Sequence, residues 1–66
     1  MTWDSIKDNW PAYMAIANRH WSKLSYNDLA AVNGSKDVLA YALSRRYGID
    51  PTAANTAIDR WQNTVI

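Results

Sequence analysis

The sequence contains no cysteine, no phenylalanine and no glutamate, and only one histidine, His20, in 66 residues. Without cysteine there is no disulfide to staple a chain this short, and one histidine beside a few aspartates cannot assemble the ligand set of a structural zinc site. No apolar run approaches the 18 residues or so that a membrane-spanning helix requires, and no basic-then-apolar start with a small-residue cleavage site is present. The expectation is a soluble, cytoplasmic protein. Charge of one sign is also missing: seven Lys and Arg against six acids leave +1, too little to build a strong field toward nucleic acid or an anionic membrane. Charged residues at 20% and aromatics at 12% likewise exclude the composition of a disordered chain.

What remains is packing. A 7.5 kDa chain folds to a surface of roughly 4,200 Å² and buries only about 60% of what it exposes unfolded. Four Trp and four Tyr must carry much of that burial. All six acids are Asp, a mediocre helix former but a strong N-cap, so their positions mark helix starts.

Thr2-Trp3-Asp4-Ser5-Ile6 reads as a capped first turn over about residues 3–8, with Thr2 as N-cap and Asp4 beside the helix dipole. Asn9 is placed to cap a second helix with Pro11 in its first turn. Trp10, Met14, Ala17, Trp21 and Leu24 then fall within about 80° of arc at roughly 100° per residue, the clearest amphipathic stripe in the chain. Ser25-Tyr26-Asn27-Asp28 has the form of a capping box and opens a brief helix carrying Leu29 and Val32. Gly34 stops that helix, and Ser35 caps the next, with Asp37 in its first turn and Leu39, Ala42, Leu43 and Tyr47 on its inner face until Gly48. Asp50-Pro51 signals a last helix, along which Ala54, Ala57, Ile58, Trp61 and Val65 repeat the helical spacing. No segment alternates with period two.

The expectation is therefore an all-α chain, a single domain over 1–66, with four main helices and a short N-terminal helical turn. Connections of two or three residues at 34–35 and 48–50 imply sharp hairpins. They suggest a compact four-helix domain of two crosswise-packed helical hairpins. Its structural core is expected to hold Trp10, Met14, Trp21, Leu24, Leu29, Leu39, Leu43, Tyr47, Ile58 and Trp61.

The ordered landmarks resemble one known family. They are Trp3-Asp4-x-Ile6, Asn9-Trp10, Trp21-Ser22-Lys23-Leu24-Ser25, Asp28-Leu29, Gly34-x-Lys36-Asp37-x-Leu39, Arg46-Tyr47-Gly48-Ile49, Ala54 and Ile58-Asp59-x-Trp61. Spread over nearly the whole chain, they are similar to the CsbD-like proteins, small bacterial proteins associated with general stress responses. The resemblance implies an orthogonal helical fold of the SAM-domain-like kind, no known catalytic activity and no established biochemical role. Two departures stand out: Pro11–Ala17 is nearly all apolar where the family usually carries a Lys- and Glu-rich stretch with Gly, and Glu is absent throughout. Both suggest more apolar exposure, suited to self-association.

No motif sets a nucleophile beside a base, and capping accounts for Asp4 and Asp8, so catalysis is not expected. No metal or cofactor site is expected either. His20 is placed at the core edge near Tyr13 and Ile16, Trp3 as a lid over the bundle, and Tyr41 on the exposed side of its helix. Arg45 and Arg46 suit the C-terminal end of a helix dipole, and Arg46, pointing into the Leu39–Leu43 arc, is expected to contact Asp59 or Trp61. The alternative functional reading is a weak nucleic-acid-binding module. Segment 44–58, with Tyr47-Gly48-Ile49-Asp50-Pro51 at its centre, is similar to a helix-hairpin-helix motif, and Arg45 and Arg46 would be its contacts. Asp50 in place of the second glycine occupies the anion site and disfavours phosphate. A third reading is weak self-association through Tyr13 and Ile16 with Tyr26 or Tyr41. The partner itself, beyond a monomer or weak homo-oligomer, is not written in the residues.

Overall fold

In the computed structural model, which describes residues 3–65, the starts of the last three helices can be traced to short polar signals. The order is α1 (Trp3–Asp8), α2 (Trp10–His20), α3 (Tyr26–Val32), α4 (Lys36–Tyr47) and α5 (Pro51–Val65). There is no strand among the described residues. The expected cap Thr2 lies outside them.

At α3 the capping box is complete: the Asp28 amide donates to Ser25 Oγ at 3.1 Å and the Ser25 amide to Asp28 Oδ2 at 3.2 Å. The shorter Asp does what Glu usually does, satisfying two amides that no helical carbonyl can reach. Ser35 caps α4 in the same manner, accepting from the Val38 amide. Asp50 stands before α5, where its carbonyl accepts from the Ala54 amide at 2.9 Å and Pro51 takes the first helical position, where a missing N–H costs nothing.

Asn9 occupies the N-cap position of α2 but makes no side-chain cap bond. Its Nδ2 donates backwards to the Ser5 carbonyl at 3.1 Å, so it closes the end of α1 instead. The stripe from Trp10 to Leu24 also divides. α2 ends at His20, with Trp21 as its C-cap, and Trp21 and Leu24 reach the core from the connecting turn. That turn is tied by Leu24 N–H to the Trp21 carbonyl at 3.0 Å and by Asn18 Nδ2 to the Leu24 carbonyl at 2.8 Å. The chain has to leave the helix there because Ser25 must be extended to cap α3.

Two residues share the left-handed turn after α3: Asn33 at φ 48° and Gly34 at φ 81°. Gly34 also lies against α1. A Cβ added there would stand 2.8 Å from Lys7 Cγ and 3.2 Å from Lys7 Cα. Above this turn Trp3 Nε1 donates to the Gly34 carbonyl at 2.7 Å. The leading helix is thus laid across the α3–α4 corner as a lid.

The core collects Trp10, Trp21, Leu24, Leu29, Leu39, Leu43, Ile58 and Trp61, together with Ile6, Ala17, Val32, Ala40 and Ala54. Met14 and Tyr47, expected inside, are half-buried. Tyr47 stays at the rim because its hydroxyl accepts from the Lys23 amide at 3.3 Å, with the Lys23 ammonium over its ring. All four Trp meet in one cluster. Trp61 lies 5.1 Å from Trp21 and 6.2 Å from Trp3 between ring centroids, and Trp3 lies 6.2 Å from Trp10. Tyr13 adds an edge-to-face contact with Trp61 at 6.2 Å. Such tilted pairs contribute about 0.5–1.5 kcal/mol each beyond their burial, which is how a core without Phe is held. The accessible surface, 4250 Å², is what scaling requires of a folded chain of this mass.

Candidate functional site

Among the described residues a concave apolar surface forms where α3 and α4 meet. It encloses about 280 Å³ and is floored by Ala31, Val38 and Ala42. Tyr41 forms one wall, and Arg45, Arg46 and Asp28 the rim. Small-molecule sites usually offer about 300–1,000 Å³, so this groove has the capacity of a side chain rather than of a cofactor. Its apolar members are unusually open for their type: Tyr41 is 61% exposed and Val38 40%.

The three charged rim groups differ in what they do. Asp28, fixed by its capping box, accepts from Arg46 Nε at 3.1 Å and Nη2 at 3.0 Å. This two-pronged pair braces the end of α4 against the start of α3. The Arg46 guanidinium, and next the Ser25 amide, hold the Asp28 carboxyl below the usual carboxylate range, while the carboxylate raises the guanidinium's value in turn. Arg46 was expected on Asp59 or Trp61. It turns toward α3 because its position on α4 faces that helix, and Asp59 is taken by Lys36, whose Nζ lies 2.6 Å from Oδ1. Arg45 makes a weaker local contact: its Nη1 donates to the Tyr41 hydroxyl at 3.0 Å and its guanidinium lies over the Tyr41 ring, 5.6 Å from the centroid.

The other expected sites resolve less favourably. The amides of Gly48 and Ile49, which in a phosphate-binding hairpin would face outward, both point to the Ser44 carbonyl, and Ser44 Oγ donates to the Ile49 carbonyl at 2.7 Å. The hairpin is closed on itself, Arg46 is engaged by Asp28, and of the two proposed contacts Arg45 alone has no acid partner among the described residues. His20 is exposed rather than at the core edge. It is the last residue of α2, and its ring stands edge-on to Trp21 at 4.8 Å. Tyr13 is half-buried against Trp61, so it does not join Ile16 in an open patch. No group of His and Asp able to hold a metal occurs among the described residues, and no helix there is long and apolar enough to cross a membrane.

Ala31 and Val38 meet Tyr41 and Arg45 in the groove, a grouping that crosses two helices, while Asp37 shares the outer face of α4 with Tyr41 and Arg45. The sequence carries a signal for this row: Asp37, Tyr41 and Arg45 recur at i, i+4 and i+8, on the side of α4 opposite Leu39 and Leu43.

No family model matches the chain, and no solved structure gives a significant match. Curated bacterial proteins do match, over nearly their whole length. A UPF0337 protein of Pectobacterium atrosepticum is 30% identical over 63 residues, 96% of this chain and 91% of the relative. A UPF0337 protein of Rhodopseudomonas palustris is 29% identical over 65 residues, 98% of both chains. The UPF0337 protein YjbJ of Escherichia coli K12 is 26% identical over 62 residues, 94% of this chain and 90% of that one. With identity at this level across the full span, the chain belongs to the UPF0337 family.

Proposed function

We propose that this protein is a non-enzymatic, stress-associated protein of the CsbD-like kind, a single cytoplasmic domain that works through contact surfaces rather than through a reaction. The observation that carries the reading is where the bonded polar side chains go. Asp28, Ser25 and Ser35 engage helix ends, Asp59 and Arg46 brace helices to one another, and Trp3 and Trp10 donate to main-chain carbonyls. Groups so engaged are held away from proton transfer or nucleophilic attack, which need a base and an acceptor in mutual reach. The arrangement of two crosswise hairpins is part of the same reading. It is supported by the packing of α3 on α4 and of α4 on α5, and by short turns at 33–35 and 48–50.

The stress association is tested by quantifying the protein in cells carried from exponential growth into stationary phase and into hyperosmotic medium. The proposal expects a several-fold rise in both. A level that stays flat in both contradicts it.

A further inference from the structure

Along the outer face of α4 runs a row of three side chains with a particular symmetry. Asp37 lies in the first turn, Arg45 in the last, and Tyr41 midway between them. The acid and the base are eight residues apart, about 12 Å along the axis. Such a row, acid then aromatic then base, is complementary to itself when reversed. If a second α4 is laid antiparallel across the first at Tyr41, each Asp37 comes opposite the other copy's Arg45. The two aromatic rings then meet at the two-fold axis.

Helix geometry supports the same arrangement. The row 37–41–45 is an i±4 ridge, and Val38 and Ala42 form the neighbouring row, so a groove runs between them. Ridges of this kind interdigitate in the commonest class of helix–helix packing. The groove continues over Ala31 of α3 into the 280 Å³ hollow, which has the size to take one aromatic side chain from a partner. Antiparallel helices also set their dipoles in the favourable sense. In the isolated chain Arg45 lies on its own Tyr41, through a hydroxyl bond of 3.0 Å and a ring contact of 5.6 Å. It is therefore already on the face, without an acid partner among the described residues.

From this charge pattern we propose that α4 is an interface between two copies of this chain, an isologous dimer in which Tyr41 of each copy seats in the other's α3–α4 groove and Asp37 pairs with Arg45 across the two-fold axis. The proposal goes beyond the stress-associated reading and does not depend on it. One helix face with a few apolar side chains lies at the small end of specific interfaces, below about 1,200 Å². The dimer is accordingly weak, forming at high micromolar concentration and loosening as salt screens the two exposed ion pairs.

The test uses charge reversal and sedimentation over a concentration series. Wild-type protein is expected to rise in weight-average mass from monomer toward dimer. Asp37→Arg alone places Arg against Arg45 in both halves of the interface, and Arg45→Asp alone places Asp against Asp37, so each variant is expected to stay monomeric. An equimolar mixture of the two is expected to associate again, because every cross-interface pair is then of opposite sign. Both positions are exposed, and circular dichroism of each variant verifies that the helices remain. Tyr41→Ala is expected to abolish association without changing the melting curve by more than a few degrees. Wild-type protein that remains monomeric up to millimolar concentration overturns the proposal and leaves the face to a different partner. It is overturned equally by association that survives both single reversals, or by a mixture that stays monomeric.

Discussion

Trp10 and Trp61 sit in the same aromatic cluster, yet their indole N–H groups differ. Trp10 Nε1 donates to the Leu29 carbonyl at 2.8 Å, while the buried Nε1 of Trp61 finds no acceptor among the described residues. A buried donor left without a partner costs about 1–3 kcal/mol. Replacing either Trp by Phe removes similar apolar volume, but Trp61→Phe also removes that penalty, and Trp10→Phe breaks a satisfied bond. Trp10→Phe should therefore be more destabilising than Trp61→Phe by about 1–3 kcal/mol, a gap of several degrees in a chain of this size. Equal melting temperatures would contradict this assignment of the two N–H groups.

The Asp28–Arg46 pair gives a second prediction at this scale. The folded state holds the Asp28 carboxyl below its usual 3.8, so unfolded chains bind its proton more readily. The stabilisation is present above that ordinary value and is lost as pH falls through the lower folded value. Melting temperatures measured between about pH 6 and pH 2 should show wild type above Arg46→Gln at the upper end and the two converging at the acid end. A gap independent of pH would mean that the pair contributes through packing alone.

Among the elements, the helices were legible because their ends carry chemistry. Ser25 with Asp28, Ser35, and Asp50 with Pro51 each mark a start that the structure contains. The boundary that was not legible is the end of α2. Trp21 and Leu24 keep the helical period, but no Gly or Pro marks the break, and the side chain that ties the turn, Asn18, has no local signature. Asn9 shows the same limit, since a residue between two helices can serve either one. The two glycines supply a prediction here. Both have positive φ, 81° at Gly34 and 64° at Gly48, but only Gly34 lies against another backbone, that of Lys7, whereas nothing approaches Gly48 within 4 Å. Gly48→Ala should cost about 1–2 kcal/mol for the left-handed backbone alone. Gly34→Ala should cost more, because α1 must also shift and Trp3 would lose its bond to the Gly34 carbonyl. The order is checked by urea unfolding; a Gly48→Ala loss equal to or larger than that of Gly34→Ala would contradict it.

For the molecule as a whole, composition and periodicity indicated a helical core built on Trp, but not which exposed side chain would find which partner. Arg46 meets Asp28 and Lys36 meets Asp59 across distances of 18 and 23 residues in sequence, set by how helices cross rather than by spacing along any one of them. The α3–α4 groove was hidden for the same reason: part of its lining, Asp28 and Ala31, belongs to another helix. The chain that results has Ser25, Asp28, Ser35, Lys36, Arg46 and Asp59 engaged in holding its short helices, and a face on α4 that sets the exposed Tyr41 between opposite charges. That division is tested by amide chemical shifts recorded from dilute to millimolar protein. Concentration-dependent shifts should be confined to Asp37, Val38, Tyr41, Ala42 and Arg45 of α4 and to Ala31 beside them, while the amides and indoles of Trp3, Trp10, Trp21 and Trp61 stay fixed. Shifts centred on α2 or α5, or no concentration dependence at all, would contradict it.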